Sequence, residues 1–283
     1  MAHLLKTLLF LAGLGLGQLA LANQYIIDRL HKPVPGGVAV VPVDLSQNGE
    51  LPQVSYQGHR VLVVKSDNAA SAIVGIPLKA ARGTQQLEVR SGGKKQQVPF
   101  KVTSKKYKEQ HIKLSSNKHV NPSPENQARF KRELDEQLTA YKQYREATPS
   151  NVVLDRPVDG GRYSSPFGLR RFFNGEERNP HSGLDIAVPT GTPIKSSADG
   201  VVTIVGDYFF NGKTVFVDHG QGMISMYCHM NEIDVVKGQT VKRGQVVGKV
   251  GSTGRSTGPH LHWNVSLNNV RVDPAIFVGA FEP

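Results

Sequence analysis

The stretch Gly258-Pro259-His260-Leu261-His262-Trp263, with the apolar run that follows it to Leu267, decides the fold. The run from His262 to Leu267 has the composition of a β-strand. Residues two apart in a strand point to the same face, so His260 and His262 would stand side by side. Buried polar groups without partners cost free energy. A metal ion is a natural partner, because neutral imidazole is a favoured zinc ligand.

Strand signals recur throughout the C-terminal half, from about residue 151. Short β-branched runs alternate there with turns that contain glycine. The sequence predicts five strands: Val201–Val205, Thr214–Val217, Met223–Tyr227, Val246–Val250 and His262–Leu267. The predicted fold class is therefore mainly β, with a C-terminal β domain over 151–283.

A second block, His181-Ser-Gly-Leu-Asp185, supplies further metal ligands. Nearby prolines favour an extended segment over a helix, and a bend at Gly183 would bring both side chains to one point. Two histidines and one carboxylate leave a tetrahedral position open, which is typical of catalytic rather than structural zinc. Spacing alone does not decide whether His260 or His262 is the ligand.

Two histidines of these blocks remain after the metal is satisfied. They are His229, in Tyr227-Cys228-His229-Met230, and whichever of His260 and His262 does not bind metal. Hydrolysis of an amide needs a proton acceptor for water and a donor for the leaving amine. Histidine performs both roles near neutral pH. The sequence therefore predicts a hydrolytic site.

In order and spacing, the blocks resemble the lysostaphin-type, or LytM-type, zinc metallopeptidases over roughly residues 155–275. The matching segments are Ser165–Arg170, His181–Ile186, Pro193–Gly200, Tyr227–Met230 and Gly251–His262. The resemblance implies that His181, Asp185 and His262 bind zinc, and that His229 and His260 are catalytic. It also implies an antiparallel β core with a groove for a peptide. Cys228 stands where the family often has alanine, and the apolar strand pattern around it predicts a buried thiol.

The N-terminal half is predicted to form a separate β domain over 23–104. Val38–Val43 and Arg60–Val64 have strand composition, and Ser91-Gly92-Gly93 separates two alternating segments as a hairpin turn would. Several short strands at regular spacing suggest a small immunoglobulin-like sandwich. We expect this domain to be regulatory or to target the protein, and the sequence does not decide between these roles.

A connector is predicted between the two domains, over 105–150. It begins in the basic stretch Lys101–Lys118, which we interpret as an outer strand and an exposed link. Ser123 and Pro124 then predict a helix start. An apolar face on that helix indicates packing on a neighbouring domain. Its members recur at helical spacing: Phe130, Leu134, Leu138 and Tyr141.

Residues 1–22 have the layout of a secretory signal peptide, with cleavage expected after Ala22. The apolar stretch is too short to span a bilayer, so no stable membrane insertion is expected after cleavage. An exported chain of net charge +11 suits an anionic wall polymer. The expected partner is peptidoglycan, in the periplasm or outside the cell, and not nucleic acid. No regulatory protein partner can be named.

The resemblance implies an endopeptidase that cuts peptide cross-links of peptidoglycan at the D-alanyl–diaminopimelate bond, through attack by a zinc-bound water. Two alternatives remain: a non-enzymatic wall-binding or amidase-activating protein, and a bacteriolysin that cuts glycine bridges. Domain order also raises the hypothesis of latency, with the lead-in, the helix or the connector covering the groove until it is removed or moved. The remaining histidines are expected to be structural or at the surface, with His219 in a turn: His31, His59, His111, His119 and His219.

Overall fold

The computed structural model describes residues 24–66, 69–113 and 122–283. The predicted signal peptide and His119 lie outside the described residues. The described chain is mainly β, as predicted, with a short helix α1 over 24–30 and one longer helix. Within these residues no helix has both the length and the apolar character needed to cross a bilayer.

The N-terminal β domain consists of two antiparallel sheets packed face to face. Three strands pair in the order β1-β5-β4, and four pair in the order β3-β2-β6-β7. Their bounds are β1 Val38–Val43, β2 Gln53–Tyr56, β3 His59–Arg60, β4 Leu62–Ser66, β5 Ala69–Gly75, β6 Gly83–Ser91 and β7 Lys94–Val102. Side chains such as Val41, Val63 and Leu87 fill the space between the sheets. This two-layer arrangement agrees with the predicted sandwich.

The connector contributes one strand and one helix to the C-terminal half. Strand β8 (Glu109–Ile112) pairs in parallel with β10 (Arg170–Phe173), an association that the sequence analysis did not anticipate. Helix α2 (Pro124–Tyr141) begins at the predicted cap, where the Ser123 side chain accepts a hydrogen bond from the backbone of Asn126. Its buried end packs on the C-terminal sheet, as its apolar face predicted.

The C-terminal half is built on a ten-stranded antiparallel sheet. Seven strands run in the order β17-β14-β15-β16-β19-β12-β9, while β13 and β18 pair beside β16, and β20 pairs with β19. The strand bounds are β9 Arg162–Ser165, β12 Leu184–Ala187, β13 Pro193–Lys195, β14 Gly200–Tyr208, β15 Gly212–Gly220, β16 Met223–Ile233, β17 Thr240–Val241, β18 Val246–Val250, β19 Leu261–Leu267 and β20 Val270–Val272. Strand β11 (Glu176–Glu177) pairs with β10 in a separate small sheet that also contains β8. All five predicted strands are present. A 3-10 helix follows over Pro274–Ile276.

The two halves share one hydrophobic core. Leu62 and Ile73 of the N-terminal domain belong to the same buried cluster as Val265 and Leu267 of β19. At this contact, the Asn268 side chain accepts a 2.6 Å hydrogen bond from the Gly75 backbone N–H and donates a 3.0 Å bond to the Gly75 carbonyl. The N-terminal domain is therefore packed against the C-terminal end of β19, the strand that begins at the histidine block Gly258–Trp263.

Candidate metal centre and catalytic histidines

Strand register brings the predicted ligands together. In the ladder between β12 and β19, Asp185 lies directly opposite His262. His181 precedes β12 in an irregular segment. The Nε2 atom of His181 lies 3.0 Å from Asp185 Oδ1 and 3.0 Å from His262 Nδ1, and His262 Nδ1 lies 2.8 Å from Asp185 Oδ1. Three donor atoms thus converge on one point.

Gly183 makes this convergence possible. A side chain at this position would meet the carbonyl oxygen of Trp263 at 2.5 Å and the imidazole of His262 at 2.7 Å. Only glycine therefore allows the segment between His181 and Asp185 to lie against β19. The expected bend at Gly183 has this physical basis.

The imidazole of His181 is oriented by the backbone. Its Nδ1 lies 2.8 Å from the carbonyl oxygen of Pro166, which can only accept, so Nδ1 carries the proton. The lone pair of Nε2 then faces Asp185 and His262. Such a hydrogen bond on the far side of the ring is the usual support of a metal-binding histidine.

The Asp185 carboxylate is held in its charged form. Burial by itself would raise the pKa of Asp185, but the imidazoles of His181 and His262 outweigh that effect, and the pKa lies well below its usual value. Its second oxygen, Oδ2, lies 3.2 Å from the Arg171 guanidinium. Arg171 also donates to Gln110 of β8, at 3.2 Å. Arg171 and Gln110 were not identified from the sequence, since nothing near them in the chain marks a single arginine or glutamine as a site residue.

His229 and His260 stand beside the trio. Their ring centroids are 4.7 Å apart, and His260 Nε2 is 3.9 Å from Asp185 Oδ1. Backbone carbonyls accept from both Nδ1 atoms: Thr253 from His229 at 2.8 Å, and Gly258 from His260 at 2.8 Å. Both Nε2 atoms are therefore free of protons in the neutral rings.

His229 also has an unusual backbone conformation and a lowered pKa. Its φ of 60° is in the left-handed region, which is uncommon for a residue other than glycine. Burial lowers the pKa of His229 to about 3, and the neighbouring imidazoles of His262 and His260 act in the same direction. The ring is consequently neutral near pH 7, with an unprotonated Nε2.

The donor set fits zinc. The ligand atoms of His181, Asp185 and His262 all lie within 4.8 Å of one another, and two imidazoles with one carboxylate are a known zinc-ligand combination. Of the two histidines left open by spacing, the register of β19 places His262 among these donor atoms, whereas His260 Nε2 lies 3.9 Å from Asp185 Oδ1.

Two other sequence interpretations concern the same sheet. Cys228 is fully buried opposite His262, and burial raises the pKa of its thiol, in line with the expected inert role. The placement of His219 in a turn was wrong: it lies within β15, is 2% exposed, and contacts the Ser225 hydroxyl and the Asp199 carbonyl. The glycine after it resembled a turn signal, but the strand continues to that glycine.

Comparison with known proteins finds peptidase relatives of this chain. The model of peptidase family M23 matches residues 179–274, and that of the M23 N-terminal domain matches 31–105. DD-carboxypeptidase/endopeptidase Mpg of Neisseria meningitidis serogroup B is 43% identical over 118 residues, which cover 42% of this chain and 27% of Mpg. Peptidoglycan DD-endopeptidase ShyA of Vibrio cholerae is 45% identical over 111 residues, covering 38% of this chain and 26% of ShyA. The chain spans about a quarter of the length of these curated relatives.

A solved structure resembles the chain along nearly all of its length. The crystal structure of a Pseudomonas aeruginosa protein assigned to peptidase M23 is 54% identical with a TM-score of 0.77, and the match covers 91% of this chain and 100% of that one. This agrees with the resemblance carried by the histidine blocks. The chain belongs to peptidase family M23.

Proposed function

We propose that the protein is a zinc-dependent endopeptidase that hydrolyses peptide cross-links of bacterial peptidoglycan. The observation that carries the proposal is the convergence of His181 Nε2, Asp185 Oδ1 and His262 Nδ1 beside the imidazoles of His229 and His260. A zinc site that only stabilised a fold would have no need of two further histidines with unprotonated nitrogens next to it.

His181, Asp185 and His262 would hold the zinc ion. When bound, zinc supplies a Lewis acid that polarises a carbonyl group and lowers the pKa of water to about 7. The burial of His181 and Asp185, at 3% and 6% exposed, limits competition from bulk water. The Pro166 carbonyl and Arg171 keep the donor atoms of His181 and Asp185 in place before the ion arrives.

The two remaining histidines move protons. His260 is the less buried, and its Nε2 is 3.9 Å from Asp185 Oδ1, so we assign it to accept the proton of the attacking water. His229 stands beside it, and the proton taken from water, passed on to Nε2 of His229, lets that ring donate a hydrogen bond to the charge that develops on the substrate. The imidazolium so formed donates its proton to the departing amine. The carbonyls of Thr253 and Gly258 stabilise these charged rings through the Nδ1–H groups.

The substrate is assigned from chemistry and from the relatives. Mpg is named a DD-carboxypeptidase/endopeptidase and ShyA a peptidoglycan DD-endopeptidase. The net charge of +11 favours a polymer whose stem peptides carry carboxylates. We therefore assign the D-alanyl–diaminopimelate bond as the target and the cell-wall space as the location, reached through the signal peptide of residues 1–22.

We further propose a functional division of the chain: an N-terminal β domain over 23–104, a connector over 105–150 and the peptidase domain over 151–283. The match of the M23 N-terminal model to 31–105 supports the first boundary.

Digestion of purified sacculi tests the proposed activity. The parent protein should release monomeric muropeptides, and a chelator should stop the release. His181→Ala should be inactive, whereas His59→Ala, which alters an exposed histidine of the N-terminal domain, should be as active as the parent. Mass spectrometry of the products distinguishes a cut D-alanyl–diaminopimelate bond from a cut glycine bridge. Equal release by His181→Ala and the parent would refute the zinc mechanism, and no release by the parent would favour an amidase activator.

A further inference from the structure

We propose that helix α2 of the connector supports the active site directly. Gln137 on this helix positions His229 by binding Asn211. The inference rests on the proposed peptidase function. It concerns a helix outside the segment that the M23 family model matches, at 179–274. The helix would then have a role beyond linking the two domains.

Gln137 is a buried polar residue on the face of α2 that packs against the sheet. It is 8% exposed, next to the buried Ala140 and Tyr141 of the same helix end. Its Oε1 accepts a 2.8 Å hydrogen bond from Nδ2 of Asn211. Burial of an amide is unfavourable unless it is hydrogen-bonded, so this pair fixes both side chains.

Asn211 in turn supports the backbone of His229. It lies in the turn between β14 and β15, and its carbonyl oxygen accepts a 2.9 Å hydrogen bond from the His229 N–H. The left-handed backbone of His229 is held only if surrounding contacts impose it. The Asn211 carbonyl is one such contact.

The same turn also touches the group that holds the His229 ring. A side chain on Gly212 would meet Thr253 Oγ1 at 2.3 Å and the Thr253 carbonyl carbon at 2.4 Å, so the turn lies directly against Thr253. The Lys213 N–H donates to Thr253 Oγ1 at 3.0 Å, and the Thr253 carbonyl accepts from His229 Nδ1. Movement of the turn would therefore affect both the backbone and the imidazole of His229.

Three further contacts fasten the turn region to α2. Glu133 accepts a 2.8 Å hydrogen bond from the backbone of Phe209, and Glu136 accepts one of 2.9 Å from the Tyr208 hydroxyl. The ring of Phe130 packs edge-on against that of Phe210, with centroids 4.8 Å apart. These contacts hold the turn region against α2, while Gln137 binds Asn211 directly.

The test replaces the side-chain amide that provides the acceptor atom. Gln137→Met keeps the length of the side chain but removes the acceptor, and Gln137→Glu restores one. Gln127→Met makes the same chemical change at an exposed glutamine of the same helix. With muropeptide dimer as substrate, Gln137→Met should lower kcat about 10- to 100-fold with an unchanged KM, as expected when a reacting group is misplaced by up to about 1 Å. Gln137→Glu should recover most of the loss, and Gln127→Met should match the parent.

Zinc stoichiometry and the His229 ring resonances in NMR spectra complete the experiment. The expected result is one zinc per chain in every variant, with the His229 signals shifted in Gln137→Met alone. An unchanged kcat in Gln137→Met would overturn the inference and leave the proposed function intact. A loss that Gln137→Glu fails to restore would also overturn it, because packing rather than the acceptor would then matter. An inactive parent would instead refute the proposed function.

Discussion

Asp185 and His262 face each other across the β12–β19 ladder, and their donor atoms lie 2.8 Å apart. Backbone pairing therefore sets their separation, and side-chain rotamers contribute less. Such a pair has little conformational freedom to lose when an ion binds, which favours tight binding. The site should consequently be preformed in the protein without zinc.

Replacement of the carboxylate tests this site. Asp185→Asn keeps the shape but removes the charge and should weaken zinc binding by more than about 100-fold, since loss of a group that merely orients a ligand already costs 10–100-fold. Competition with a chelating dye measures the affinity. Asp207→Asn, at an exposed position, is the matched control and should bind like the parent. Equal affinities in the two variants would exclude Asp185 as a ligand.

Loss of a proton-transferring histidine should separate catalysis from metal binding. His229→Ala should lower kcat about 10²- to 10⁴-fold, the usual contribution of general acid–base catalysis. Zinc content should stay at one per chain, because His229 is not among the three converging donors. Turnover of muropeptide dimers and elemental analysis provide the two measurements. Loss of zinc together with activity would contradict the division of roles between His229 and the metal trio.

Acid should destabilise the protein through His219. Burial is the main cause that lowers the pKa of His219 to about 4, whereas the Asp199 carbonyl acts in the opposite direction. Because the unfolded state has a pKa near 6.5 and binds the proton first, stability is complete above that pH and is lost as the pH falls towards 4. One such group contributes about 3 kcal/mol over this window.

Denaturant unfolding of the zinc-loaded protein at pH 7 and pH 5 measures this contribution. The parent should lose more stability than His219→Gln, which retains hydrogen-bonding capacity without titrating. Comparison of parent and variant cancels the effect of the other histidines. Identical pH dependence in the two proteins would show that His219 does not titrate between the folded and unfolded states in this range.

The contact between the two halves predicts that alanine substitution of two neighbouring asparagines, Asn268 and Asn269, lowers the free energy of unfolding by different amounts. Asn268→Ala leaves the buried N–H and C=O of Gly75 without partners and should cost about 1–3 kcal/mol of unfolding free energy. Asn269→Ala makes the same change at a second residue with positive φ, where only a 3.4 Å contact with the His59 ring is lost. Thermal unfolding compares the two variants. A similar loss in both would assign the effect to backbone conformation alone.

Short stretches of sequence were sufficient to predict many features of this molecule. The histidine blocks, the bend at Gly183 and the helix start at Ser123 are each encoded by a few neighbouring residues. The choice of His262 over His260 instead depends on the pairing of β19 with β12, which joins residues 77 positions apart. Short-range pattern therefore identified the candidate ligand types, and long-range register places His262, rather than His260, opposite Asp185.

Supporting residues were beyond the reach of local pattern. Arg171 meets Gln110 across 61 positions, and Asn211 meets Gln137 across 74. Neither pair has a distinctive spacing, and glutamine on a helix is ordinarily a solvated residue. The parallel pairing of β8 with β10 was missed for the same reason, since a lysine-rich stretch carries no signal for its partner.

A shortened protein that consists of residues 151–283 alone tests whether the connector inhibits the enzyme or supports its active site. The latency hypothesis predicts faster turnover by the excised domain, because a cover over the groove would be lost. The contacts of Gln110 with Arg171 and of Gln137 with Asn211 predict slower turnover, because Asp185 and His229 would lose support. Removal of the N-terminal sheet also exposes Val265 and Leu267 of the shared core, which should lower stability.

We expect the excised domain to turn over muropeptide dimers more slowly per bound zinc than the full chain. Residues 122–283, which retain α2, are the matched control and should recover part of the rate. Turnover by 151–283 at or above the rate of the full chain would support latency and contradict a positioning role for the connector.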